Sequence, residues 1–177
     1  MIIQRTQAVG GSLFNLSDVM DHARLSDTYF LAEAQRLALA AAREFEAYAQ
    51  LALLDQTITV TIDEPIRCAM LALPIAPLID VLSVQVTVDG VAFDDFAVIA
   101  GLRPALRFTD EKPSGLVVIQ YLAGFGSSDF ALPADIRHAI ADQATANFET
   151  KGAGDGKTNG LSPHMARIAA RYRRVAL

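Results

Sequence analysis

Tyr121–Ile140 reads YLAGFGSSDFALPADIRHAI. An extended run ends in Tyr121, breaks on Gly124 and Gly126, and restarts at Leu132-Pro133 as an amphipathic helix. Pro suits a helix start, where its missing N–H has no intrahelical partner to lose. Ile136, Ala139, Ile140, Gln143 and Ala144 then form a stripe at helical spacing running toward Phe148. The passage from a β-rich middle into a late helix predicts an α+β chain rather than an alternating βαβ one.

Upstream of that stretch the period is two. Thr57, Thr59 and Thr61 alternate with Ile58, Val60 and Ile62, the pattern of a half-buried strand. Ile66–Leu73 reads as a partner strand stopped by Pro74 and Pro77. Val81–Val88 alternates again, and Asp89-Gly90 supplies a type I′ hairpin turn into Val91-Ala92-Phe93. Phe96–Ile99, Ala105–Phe108 and Leu116–Tyr121 are further strands, at a spacing that suits an antiparallel sheet or a small sandwich.

Two helices precede this region. Ser17-Asp18 offers an N-cap for a short helix to about Leu25. Ser26-Asp27-Thr28 opens a longer one, in which Phe30, Ala34, Leu37, Ala41, Phe45 and Tyr48 share a face. Its many alanines raise helix propensity and permit close packing. At the far end Gly152–Gly160 reads as a flexible linker, and Ser162-Pro163 caps a last helix to about Arg174. The sequence thus predicts helices over 17–25, 28–49 and 134–151, a β insertion over 51–122, a linker at 152–160 and a tethered C-terminal helix within 161–177.

Composition narrows the class. Hydrophobic residues make up 52% and charged residues 20% of 177, which fits a globular chain with a real core. No apolar run approaches the ~18–20 residues of a membrane span, and the N-terminus lacks the apolar core of a secretory signal. The single Cys68 excludes an internal disulfide and fits synthesis in a reducing cytoplasm. Charge is polarised: residues 1–136 hold 8 Lys/Arg against 17 Asp/Glu, whereas residues 137–177 hold 7 against 3. Such a split suits head-to-tail or acidic-partner contacts at the C-terminal end, or arginines at the negative pole of a helix.

Motifs for chemistry are missing. Gly156-Lys157-Thr158 imitates the end of a P-loop, but Lys151 stands where the leading glycine is needed, and a helix precedes it instead of a strand. His22, His138 and His164 are far apart, without a neighbouring ligand at metal-binding spacing. Cys68 reads as a small buried hydrophobe in a strand, and Gly126-Ser127-Ser128 lacks the nucleophile-elbow pattern. The pairs Asp63-Glu64, Asp94-Asp95 and Asp110-Glu111 fall at predicted turns. No catalytic residue, cofactor or metal ligand is assigned. The basic C-terminal segment, with Arg167, Arg171, Tyr172, Arg173 and Arg174, reads as a docking surface for a protein partner, as a solvated helix end or as a phosphate-contacting nucleic-acid surface, the last weakened by the acidic remainder of the chain.

The order of these pieces resembles the head–tail connector (adaptor) family of tailed phages and gene transfer agents. The resemblance is carried by Leu16-Ser17-Asp18-Val19, by Ala42-Arg43-Glu44-Phe45-Glu46-Ala47-Tyr48, and by the Leu-Pro, Pro and Val-Leu-Ser-Val positions between Leu71 and Val84. Val118–Gly126, Leu132–Ile140 and Tyr172-Arg173-Arg174-Val175 continue it. One departure lies at Phe148-Glu149, followed here by Thr150-Lys151 where the family often has arginine.

The resemblance implies a small helical bundle with an antiparallel β-rich insertion as the adaptor domain (1–151). It implies a non-enzymatic virion subunit, synthesised in a bacterial cytoplasm and assembled as a dodecameric ring beneath the portal protein. DNA would pass through without sequence-specific binding, and a further connector, stopper or tail protein would follow; no membrane is involved. Arg167, Arg171, Tyr172, Arg173 and Arg174 are then the expected portal-docking residues. A small α+β hydrolase or ligand-binding protein is the alternative, and it would need His22 or His138 beside a carboxylate and a nucleophile.

Overall fold

The computed structural model describes residues 1–7, 11–109, 111–150 and 160–173. The 152–160 linker, apart from Gly160, lies outside the described residues, as does Arg174. The fold is α+β, with four α-helices and two antiparallel sheets among the described residues. It forms two compact units: residues 1–10 with 54–127, and residues 11–53 with 128–177.

The first unit holds the strands. These are β1 (Ile2–Gln7), β2 (Gln56–Ile62), β3 (Met70–Ala72), β4 (Gln85–Val88), β5 (Val91–Ala92), β6 (Phe96–Ile99), β7 (Ala105–Phe108) and β8 (Val117–Ala123). One sheet runs β1-β2-β8-β4-β5 and the other β3-β7-β6. The central ladder pairs β2 with β8 from Gln56↔Ala123 to Ile62↔Val117. In both strands alternate residues are buried: Ile58, Val60 and Ile62 in one, Val117, Ile119, Tyr121 and Ala123 in the other. The threonine–isoleucine alternation therefore does what period-two patterning dictates.

Asp89 (φ 51) and Gly90 (φ 82) both adopt positive φ and turn β4 into β5, as expected of a type I′ hairpin. Asp89 also accepts the Leu116 N–H at 2.9 Å, tying the hairpin to β8. The expected strand at Ile66–Leu73 is corrected. Only Met70–Ala72 is extended, and it pairs with β7 in the second sheet instead of with β2. The strand expected over Val81–Val88 begins only at Gln85, because Val81–Ser83 forms a 3-10 turn capped by Asp80. β1 was not foreseen. All six of its residues are exposed, so burial leaves no alternation in its sequence.

Tyr121 is fully buried and ties β8 to the loop after β3. Its hydroxyl donates to the Ile75 carbonyl and accepts the Ile75 N–H, both at 3.0 Å. Burial pushes the phenol's pKa well above the ordinary tyrosine value, against the pull of the Ile75 hydrogen bond and of Arg5. The strand then ends at Gly124 (φ 147), whose N–H donates to the Pro77 carbonyl at 3.0 Å.

The second unit holds α1 (Leu16–His22), α2 (Leu31–Ala49), α3 (Ala134–Glu149) and α4 (Pro163–Tyr172). The α1 cap is Asn15, whose side chain accepts the Ser17 N–H at 2.9 Å, so the helix starts earlier than the expected Ser17 cap and ends at His22. Residues Thr28–Phe30 form a 3-10 turn, with α2 proper beginning at Leu31. α3 ends at Glu149. The core takes Ala34, Ala38, Ala41, Ala42, Phe45 and Ala49 from α2, and Ile136, Ala139, Ile140 and Ala144 from α3. Facing alanines allow the close approach that bulkier residues would prevent.

Glu46 is buried at the end of α2. One carboxylate oxygen accepts the Leu53 N–H at 2.9 Å and the other pairs with Arg43 at 3.0 Å, which satisfies the charge. Gln50 adopts φ 56 and ends the helix in the left-handed region. No helix among the described residues is long and apolar enough to cross a membrane.

Gly124 generates a prediction. A Cβ there would lie 2.6 Å from the Leu54 carbonyl carbon and oxygen and 2.7 Å from the Asp55 nitrogen. Gly124→Ala is therefore expected to destabilise the protein by about 2–4 kcal/mol, read by urea denaturation. Wild-type stability in that variant would contradict the packing.

Candidate functional site

α4, the helix carrying Arg167, Arg171 and Tyr172 of the expected docking residues, is built onto α3 from its first turn. Ser162 accepts the Met165 N–H at 3.1 Å, and its own hydroxyl donates to Asp142 at 2.6 Å. The buried Gln143 carboxamide accepts the Ser162 N–H at 2.5 Å and donates to Asn147 at 3.0 Å. Met165, Ile168 and Ala169 are buried at i, i+3, i+4 spacing. At the other end the Tyr172 hydroxyl donates to both oxygens of Asp135, at 3.0 and 3.1 Å. Arg171 lies 3.7 Å from the same carboxylate, and Arg173 sits 5.0 Å above the Tyr48 ring.

α4 packs against both α2 and α3 within the helical unit. The expected residues divide. Arg167, Arg171 and Arg173 are exposed residues whose guanidinium groups lie against His164, Asp135 and the Tyr48 ring, whereas Tyr172 is half-buried and its hydroxyl is committed to Asp135. Cys68, expected to be buried in a strand, is exposed and precedes β3.

Three residues that look unrelated in the sequence come together. The rings of His22 on α1, His138 on α3 and His164 on α4 pack edge to face in series, with centroids 5.1 and 4.8 Å apart. His138 Nδ1 lies 3.1 Å from His164 Nε2, and Arg167 Nη2 lies 3.2 Å from His164 Nδ1. His22 Nε2 stands 3.9 Å from Asp142. Beside them is an open hollow of about 250 Å³ lined by Asp18, His22, Ala134, Arg137, His138 and Ala141. No spacing rule links positions so far apart. Only the helical stripe of α3, which puts His138 on the face opposite Ile136 and Ile140, hinted at an outward role.

The cluster does not assemble a nucleophile relay. The Ser162 hydroxyl donates to Asp142 and caps α4, and His22 stands beyond hydrogen-bond reach of that carboxylate. Among the described residues, no three His, Cys, Asp or Glu side chains are placed to share a metal ion. What the surface offers is three exposed arginines, Arg167 and Arg171 on a helix pinned at both ends and Arg173 at its C-cap.

No protein-family model and no curated protein matches the chain. Solved structures do. A chain in the virion of a native gene transfer agent (GTA) particle is 24% identical, aligns over all of this chain and 97% of its own, and superposes with a TM-score of 0.77. A chain in the neck of an empty GTA particle, computed with C6 symmetry, gives 25% identity, the same coverage and a TM-score of 0.77. One in the neck of a native GTA particle, computed with C12 symmetry, gives 22% and 0.73. The fold is thus shared along the whole chain with components of GTA particles.

Two outcomes follow from the seating of α4. Ser162→Ala removes the cap and the Asp142 bond, and is expected to cost about 1 kcal/mol in denaturant unfolding; no change would mean the cap is idle. Burial, then the Asp135 hydrogen bond and its charge, raise the Tyr172 phenol's pKa, partly offset by Arg171. The neutral phenol is the form the fold keeps, so the contact stands at neutral pH and is lost as pH rises above about 10. Ultraviolet phenolate titration is expected to show Tyr172 moving back toward ordinary tyrosine in Asp135→Asn; an unmoved titration would contradict the contact.

Proposed function

We propose that this chain is a non-enzymatic structural subunit of the neck of a phage-like or gene-transfer-agent particle, a head–tail connector (adaptor). The observation that carries the proposal is a likeness to chains of GTA virions and necks that spans all of this chain and 97% of theirs at a TM-score of 0.77. In this reading copies assemble as a ring beneath the portal protein, in twelvefold arrangement, and hand on to a further connector, stopper or tail protein. The C6 and C12 symmetries of the similar necks support a cyclic arrangement. A ring needs two different complementary surfaces per subunit, a heterologous contact that closes.

Charge agrees with a conduit. The acidic balance of residues 1–136 opposes phosphate binding, so DNA would pass without being held. The exposed Arg167, Arg171 and Arg173, with Arg174 beyond the described residues, are the proposed portal-docking set, and α4 presents Arg167 and Arg171 already ordered. A preorganised helix loses less entropy on docking than one that must fold. Tyr172 serves that role by fixing the helix through Asp135. The protein would be made in the bacterial cytoplasm and end in the particle.

The test is Arg167→Glu with Arg171→Glu and Arg173→Glu, co-expressed with the portal protein of the same particle. Circular dichroism is expected to stay native while co-purification with portal falls at least about tenfold, the scale of losing charged contacts. Undiminished co-purification would overturn the docking set. Failure of the wild-type protein to bind portal or enter particles would overturn the connector reading itself.

A further inference from the structure

The five-stranded sheet buries one face, and its opposite face carries no charge. In β2 the buried positions are Ile58, Val60 and Ile62, so Thr57, Thr59 and Thr61 stand on the other side. The registers carry that side across the sheet. Gln4 pairs with Thr59, Thr59 with Gln120 and Gln120 with Gln85, one uncharged row over four strands. One flanking row runs from Ile2 through Thr61 and Val118 to Thr87, the other from Thr6 through Thr57 to Leu122. Neither holds a charged residue. The nearest acids in sequence lie at strand ends: Asp55 and Asp63 flank β2, and Asp89 turns β4 into β5. Gln4, Gln85, Gln120 and Leu122 are exposed, so the face meets solvent.

β1 supplies a second observation. All six of its residues are exposed, Ile2 at 64% and Ile3 at 39%. Yet it keeps an unbroken register with β2 from Ile2↔Thr61 to Gln7↔Gln56. A strand with no buried residue is held by little beyond its ladder hydrogen bonds. Natural proteins cover or blunt an apolar edge strand of this kind. Cover from a second chain would supply the burial that β1 lacks.

We propose that this charge-free face is where a second copy of the chain docks, as one half of the lateral contact in the ring. The inference rests on the connector reading for the ring itself. Charge selects the occupant. Each copy carries a net charge of −5, so two copies repel wherever acidic surfaces meet. At a face without charge they approach with no ion to desolvate, and the cores of interfaces are depleted of charge. Size selects the arrangement. Four steps of about 4.8 Å between strands, and the seven residues of β2, give on the order of 400 Å². A stable pair needs about 800 Å² from each partner. The face alone therefore makes a weak contact, which closure of a cyclic assembly reinforces. A closing ring is heterologous, so the counter-surface on the next copy is a different one.

The test is a dilution series of the isotope-labelled full chain, read by amide and methyl NMR, which detects even millimolar association. Concentration-dependent shifts are expected at Gln4, Thr59, Thr61, Gln85 and Gln120, together with a second, separate set of residues. Gln4→Glu with Gln120→Glu puts two acids on the face, two strands apart, and is expected to weaken association at least about tenfold. Gln4→Asn with Gln120→Asn keeps the face neutral and is expected to associate like the wild type. Equal weakening in both variants overturns the inference, as does an absence of concentration dependence or a two-fold dimer through this face alone. A face perturbed by duplex DNA but not by concentration belongs to the conduit wall and overturns it too. Portal co-purification decides the connector reading separately. Portal binding without self-contact sinks only this inference, and self-contact without portal binding sinks only that reading.

Discussion

The antiparallel ladder of β2 and β8 is the constraint on which the β unit depends. It joins Gln56–Ile62 to Val117–Ala123 across everything lying between them in sequence. β1 adds to one side of it and β4 with β5 to the other, so no other strand in the five-stranded sheet has its register without it. Its pleat buries Ile58, Val60, Ile119 and Tyr121 together on alternate positions. A slip of one residue would turn that whole set outward, which is why the register is held so firmly. Tyr121 and Gly124 then fix the ladder's end, one by a double hydrogen bond to Ile75 and the other by leaving room for the Leu54 backbone.

The helical unit solves a different problem. Its core is largely alanine, so helices approach closely but gain little area per residue. Buried polar groups supply the direction that small side chains cannot. Glu46 turns the chain after α2 by accepting the Leu53 N–H, and Gln143 receives Ser162 where the chain returns to α4. Each is satisfied, and each sits where a helix must stop or start. Functional side chains therefore ride on a frame whose ends are specified by hydrogen bonds, not by bulk.

The sequence showed its local features well and its distant ones poorly. Thr57–Ile62, Asp89-Gly90, Leu132-Pro133 and Ser162-Pro163 each carry a pattern that one element alone satisfies, and the α+β class follows from them. Asn15 and Ser17 are both good caps, so nothing local chooses between them. β1 leaves no mark because a strand exposed on both faces needs no alternation. Ile66–Leu73 has strand composition, yet tertiary pairing keeps only Met70–Ala72 extended. The basic residues of the candidate site were visible as charge, but their division into exposed arginines and a half-buried Tyr172 held by Asp135 was not. The meeting of His22, His138 and His164 depends on how three helices pack, which no spacing encodes.

The backbone passes between the two units three times, since the first takes residues 1–10 with 54–127 and the second 11–53 with 128–177. During synthesis this ordering matters. β1 emerges early but has no partner until β2 is made, and β2 in turn awaits β8. α2 is complete long before α3 and α4 arrive to cover it. A nascent chain thus carries an uncovered alanine-rich helix and an unfinished sheet for most of its time on the ribosome. Closure of both units is deferred to the last third of translation, so a truncated chain lacks the strand and the helices that complete either unit.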